Sequence, residues 1–215
     1  MRHMNRNFCA TLLCVAALGS TLTACAPLML GGAAMGALVA TDRRTSGAQL
    51  EDEGIELRAA GRIRESLGDR VHVNVTSYNR QVLLTGEVPN AQDKQQVEQI
   101  VSRVENVRAT VNELAVLGNT SLTQRSSDAL TTGKIKASMI DTRDLFANAF
   151  KVVTERGTTY LMGRVTQREA TRATDIARGT GGVQKVVRVL EIISEEELQR
   201  TLPQSAPTPA SAPKT

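Results

Sequence analysis

Between residues 71 and 193 the spacing of apolar positions runs through the same succession twice. Val71, Val73 and Val75 alternate with His72, Asn74 and Thr76, a period of two that predicts a strand buried on one face. The turn Tyr78-Asn79-Arg80 leads into a second apolar run that ends in Gly86-Glu87-Val88. Further on, Phe150, Val152 and Thr154 alternate in the same way, Glu155-Arg156-Gly157 forms the turn, and the partner run ends in Gly163-Arg164-Val165. Each pair predicts a β-hairpin.

After each hairpin the period lengthens to that of a helix. Pro89-Asn90 and Thr166-Gln167 are helix starts, and the stripes that follow are Val97, Ile100, Val101 and Val104, then Ala170, Ala173, Ile176 and Ala177. A β-branched run closes each copy, Val107 to Val116 and Val183 to Ile193, and the strand–helix–strand order predicts a parallel crossover. Helical segments, Ile55 to Leu67 and Asp128 to Thr142, precede the two hairpins. The reading is an α+β fold made of two tandem units over residues 49–118 and 126–193. Each unit is expected to run α-β-β-α-β, with a three-stranded mixed sheet packed by two helices.

The ends of the chain carry other signals. Arg2, His3 and Arg6 precede a short apolar stretch, Phe8 to Leu18, as in a secretory signal over residues 1–24. Leu22-Thr23-Ala24-Cys25 then matches the lipobox of bacterial lipoproteins, which assigns Cys25 as the lipidated residue. An ordinary cysteine beside a small-residue cleavage site is the other reading, and the order of charge, apolar core and lipobox favours lipidation. Residues 25–48 follow as a Gly/Ala-rich spacer with a polar, breaker-rich end, Thr41 to Ala48, expected to be a loop. Residues 194–215 are expected to hold a short helix at Glu195-Glu196-Glu197-Leu198 and a disordered, Pro-rich tail.

Composition sharpens this reading. Only 2% of residues are aromatic and there is no tryptophan, so the cores must be built from Val, Leu, Ile, Met and Ala. Loss of Arg2 and Arg6 with the signal leaves 24 basic against 22 acidic side chains, a nearly neutral chain. Export removes nucleic acid from the partners that the raw basicity suggests. The two units differ in sign: residues 50–117 hold 8 basic and 11 acidic groups, residues 126–193 hold 11 and 7.

The hairpin ending in Gly-x-Val, the helix and a Gly-Val before the last strand resemble the BON domain, a module of about 60–70 residues. Gly86-Glu87-Val88, Gly163-Arg164-Val165 and Gly182-Val183 carry the likeness, while the first copy has Asn106-Val107 in place of the second Gly-Val. Two such domains behind a lipobox resemble the dual-BON outer-membrane lipoproteins. That resemblance implies a non-enzymatic protein, anchored in the outer membrane and facing the periplasm. It also implies binding of anionic phospholipid through the first helix of the second domain, support of envelope integrity, and work near the outer-membrane protein assembly machinery. Ala26 after the cysteine, rather than Asp, agrees with outer-membrane sorting in such proteins. A tryptophan in that helix is part of the family pattern; Leu130 stands at its place, with one extra residue near Gly133.

At 100° per residue, Thr131, Ile135, Met139 and Thr142 of this helix gather on one side, whereas Leu130, Lys134, Ala137 and Asp141 gather on the other, flanked by Lys136 and Ile140. Apolar groups beside lysines suit an interface with anionic headgroups. The lipid-contact set read from this helix and the resemblance is Leu130, Thr131, Lys134, Lys136, Ala137 and Ile140. The residues alone leave a second reading open, with Leu130 folded onto its own domain and the lysines merely solvated. A protein-binding adaptor of the envelope, acting through the acidic first unit, is the alternative function.

Catalysis finds little in the sequence. The mature chain holds one histidine, His72, on the polar phase of a strand and so expected at the surface. Gly179-Thr180-Gly181-Gly182 follows a helix rather than opening one, so it reads as a C-cap and turn, not a phosphate loop. No cofactor is implied, and no His/Cys/Asp spacing marks a metal site. Arg168 and Arg172, one turn apart, read as a solvated face.

Overall fold

The computed structural model describes residues 42–118 and 120–201. The signal, Cys25, the spacer up to Ala40 and the tail from Pro203 lie outside the described residues. No helix among the described residues is long and apolar enough to cross a membrane.

The first repeat consists of α1 (Ser46–Leu67), β1 (His72–Tyr78), β2 (Gln81–Val88), α2 (Ala91–Ser102), β3 (Ala109–Asn112) and β4 (Ala115–Val116). The second consists of α3 (Leu122–Ile140), β5 (Phe150–Glu155), β6 (Thr158–Thr166), α4 (Gln167–Gly179), β7 (Lys185–Ile193) and a short α5 (Glu195–Thr201). In each, the hairpin is antiparallel, and the strand after the crossover pairs in parallel with the hairpin's second strand. The last strand of the first repeat differs from the single run expected. It breaks at Glu113 and Leu114, because Leu114 turns into the core and only short segments on either side pair with β2.

Both first helices begin earlier than their apolar pattern. Thr45 caps α1 and Ser121 caps α3, each hydroxyl accepting from the backbone three residues on. The segment expected as a loop therefore ends at Thr45, and Ser46 to Gly54 form the opening turns of α1. Thr166 and Glu169 form a reciprocal capping box at the head of α4.

Both hairpins turn in two residues. Asn79 (φ 50°) and Arg80 (φ 66°) occupy the left-handed region in the first, Arg156 (φ 51°) and Gly157 (φ 74°) in the second. This is the turn whose twist matches paired strands, and only one of the four residues is the glycine it favours. The buried carboxylate of Asp52 on α1 compensates in the first repeat. It accepts the Asn79 and Arg80 backbone N–H groups at 2.7 and 2.8 Å, and Ser77 Oγ at 2.6 Å. Asp128 on α3 does the same in the second, accepting from Arg156 N at 2.8 Å and Gly157 N at 3.0 Å.

The Gly-x-Val signature also has a steric cause. A Cβ on Gly86 would lie 2.1 Å from His72 O, and one on Gly163 would lie 2.5 Å from Ala149 O. Gly182 (φ 103°) packs against Thr131 of α3 before β7, and Asn106 (φ 66°) holds the corresponding left-handed position in the first repeat. Asparagine tolerates that backbone better than most residues, which explains the departure from Gly-Val.

Helices α1 and α2 cover one face of the first sheet around Ile55, Leu84 and Val97; α3 and α4 cover one face of the second around Ile135, Leu161 and Ala173. The other two faces meet. Tyr78, Leu83, Tyr160, Met162 and Val189 form a third buried cluster, so the layers run helix, sheet, sheet, helix. Each such side chain contributes about 1.5–3 kcal/mol on burial. The polar phase of β1 thus faces the second sheet: Asn74 donates to Glu155 at 3.0 Å, and Tyr78 OH to Ala149 O at 3.4 Å.

Candidate functional site

Helix α3 presents the surface singled out by sequence. Its inward side chains, Asp128, Thr131, Ile135 and Met139, are all buried. Leu130 is 67% exposed and Ile140 69%, and Lys134, Lys136 and Ala137 lie on the same open side. Neither lysine has an ion-pair or hydrogen-bond partner among the described residues. Five of the six expected lipid contacts therefore share one solvent-facing surface. Thr131 does not. It is buried, donates to Ser127 O at 3.0 Å and sits against Gly182, so no headgroup reaches it. Its angular position had placed it on the sheet side.

The neighbouring groove, about 860 Å³, runs between α1 and α3 beside the edge strands β1 and β5. Glu53, Glu56 and Glu155 line it together with exposed Leu57. Glu56 is paired with Lys151 at 2.7 Å, and the groove is acidic where the outward face of α3 carries two lysines. Arg168 is held by its own repeat, donating to Asp144 O at 3.1 Å and lying 3.5 Å from Glu195; Arg172 is exposed.

Three features were not read from the sequence. Arg43 reaches from the segment before α1 to the second repeat, where its guanidinium forks onto Glu169 at 2.6 and 2.7 Å and donates to Arg164 O at 3.1 Å. Both side chains are buried, and the Phe146 ring lies 5.6 Å from the guanidinium carbon. Arg44 pairs with Asp42 and Asp52 and stacks over Tyr78 at 4.3 Å. The third feature corrects His72. Its side chain is 23% exposed and its Nδ1 lies 2.9 Å from Glu87 Oε2, because the second sheet covers the face that alternation assigned to solvent. The repeat had been recognised, but no signal along the chain says that its two copies pack sheet to sheet.

Comparison with known proteins agrees with this architecture. The BON domain model matches residues 53–118 and 127–194. The chain is 37% identical over 180 residues to the outer membrane lipoprotein DolP of Haemophilus influenzae, covering 82% of this chain and 93% of that one. It is 30% identical over 154 residues to a 21 kDa hemolysin of Actinobacillus pleuropneumoniae, covering 71% and 79%. A likeness to the C-terminal domain of CdsD, a structural protein of the type III secretion system of Chlamydia trachomatis, has a TM-score of 0.28 at 12% identity, covering 62% of this chain and 96% of that one; it carries no argument. The chain belongs to the BON-domain proteins, and within them to the DolP family of outer-membrane lipoproteins. It is held at the outer membrane by lipid.

Proposed function

We propose that this lipoprotein is a non-catalytic membrane module, lipidated at Cys25, whose second BON domain binds anionic phospholipid through the outward face of α3 and so supports outer-membrane integrity. One observation carries the reading: Leu130 and Ile140 stand exposed beside two lysines that have no ion-pair partner among the described residues. Apolar side chains enter the headgroup boundary while the lysines meet phosphate above it. Each basic group near an anionic surface contributes about 1 kcal/mol, within a Debye length of about 8 Å. The excess of basic over acidic groups in the second repeat supports this polarity of binding.

The anchor permits the contact. Cys25 and Asp42 are 17 residues apart, and a chain of that length spans at most about 60 Å, enough for the folded body to lie against the leaflet that holds its lipid.

Vesicle flotation of the chain without acyl groups tests the proposal. Binding to phosphatidylglycerol vesicles, none to neutral ones, is expected. Lys134→Gln with Lys136→Gln should weaken it about thirtyfold, the equivalent of about 2 kcal/mol, and Leu130→Glu should abolish it. Equal binding to both vesicle types, or full binding by Leu130→Glu, contradicts the proposal.

A further inference from the structure

The register of the first hairpin sets His72 directly opposite Glu87 on the face of β1 and β2 that meets the second sheet. Glu155, the last residue of β5, comes to the same place from the other repeat. An imidazole nitrogen of His72 and one carboxylate oxygen each from Glu87 and Glu155 lie within 4.8 Å of one another. Glu87 is completely buried, and its Oε1 has no hydrogen-bond donor. The nearest cation is Arg156, whose Nη1 stands 3.5 Å from that oxygen, in ion-pair range without a hydrogen bond. A buried carboxylate satisfied on one oxygen alone is costly, and the usual remedies are a paired charge or a metal.

We propose that His72, Glu87 and Glu155 form a site for a divalent transition metal, zinc in the first instance, that joins the two BON domains. The donor set is one imidazole and two carboxylates from three different strands, with a fourth position left to water. Calcium is the wrong ion for it, since it requires six to eight oxygens and gains nothing from an imidazole. Ligands about 2.1 Å from a tetrahedral zinc ion lie about 3.4 Å apart. His72 Nδ1 and Glu87 Oε2, at 2.9 Å, are already that close, and the remaining separations, within 4.8 Å, need to close by at most about 1.4 Å. Asn74 already donates to Glu155 Oε2 at 3.0 Å and fixes that carboxylate, as outer partners of metal ligands do. The Glu87 and Glu155 carboxylates repel one another across this short distance. A cation between them removes that repulsion. On binding, the ion takes the place of the hydrogen bond between His72 Nδ1 and Glu87 Oε2, and the neutral imidazole carries its one proton on Nε2.

The test uses the mature chain stripped with chelator, with Cys25→Ser so that no thiol competes. Zinc affinity is read by competition with a chromogenic chelator, and cobalt(II) binding by its visible absorption. One ion per chain is expected, with a cobalt spectrum of low coordination number and a thermal midpoint that rises with zinc. His72→Gln should lose more than about a hundredfold in affinity, beyond the roughly 10–100-fold that loss of an outer partner costs. Arg156→Gln removes the competing cation and should bind zinc more tightly than the parent. That gain separates a metal site from a purely structural ion-pair cluster, for which both variants only destabilise the fold. Absence of zinc and cobalt binding, or affinity unchanged by both substitutions, overturns the proposal. So does binding of calcium in preference to zinc.

Discussion

Replacing Arg43 with alanine should lower the stability of the folded body by about 3–5 kcal/mol, the cost of leaving one member of a buried ion pair alone. For a chain of this size that is a fall of about 10 °C in the thermal midpoint. Glu169 has no exposed side-chain surface, and the fork from Arg43 is the only positive charge paired with it among the described residues. Replacing both residues with methionine should recover only part of the loss, since the apolar pair carries no desolvation penalty but leaves the buried Thr166 N–H without its Glu169 acceptor.

Acidity should reproduce part of the effect. Burial alone raises the Glu169 carboxyl, but the hydrogen bonds from Arg43 and Thr166 outweigh it and hold the group below its ordinary value. A carboxyl depressed on folding stabilises in full above its unfolded pKa, and the contribution is lost as pH falls through the folded value. The Arg43→Ala chain, already without the pair, should therefore show the smaller further loss of stability in acid. Calorimetry of both chains from neutral pH into the acid range measures it.

Asp52→Ala should be nearly as severe, at about 4 kcal/mol. The carboxylate receives two backbone N–H groups of the turn, the Ser77 hydroxyl and the Arg44 guanidinium, and hydrogen bonds to a charged group contribute about 1.5–3 kcal/mol each, not additively. Its loss also removes the acceptor for both backbone N–H groups of the left-handed residues Asn79 and Arg80. Arg80→Gly supplies the residue that the second repeat already has at Gly157, so it should restore part of the stability in the Asp52→Ala background. In the parent chain it should do much less. Chemical denaturation of the four chains gives the coupling; full additivity would mean that Asp52 does not act through the turn.

The sequence was most informative where one period ran unbroken. Both hairpins, the α2 and α4 helices, the parallel return strands and the tandem repeat follow from alternation, helix stripes and turn residues. The opening turns of α1 and α3 were less legible because Ser46 to Gly54 and Leu122 to Ser127 have few apolar positions to show a stripe. Asp128, which only marked the beginning of a helical segment, proves to be the buried acceptor for a turn 28 residues away. Lys134, Lys136, Leu130, Ala137 and Ile140 could be grouped on one face because helical geometry is local. His72, Arg43 and Glu87 could not be placed, because their partners depend on contact between the repeats, and polar alternation reads the same whether water or another sheet lies opposite.

The most direct test of lipid contact through α3 uses the absence of tryptophan from the chain. Leu130→Trp places a single fluorophore at the centre of the proposed contact. Its emission should shift to the blue when phosphatidylglycerol vesicles are added and be quenched by brominated acyl chains, with neither change on neutral vesicles. An emission maximum that stays at its solvent-exposed position in the presence of anionic vesicles would contradict the account.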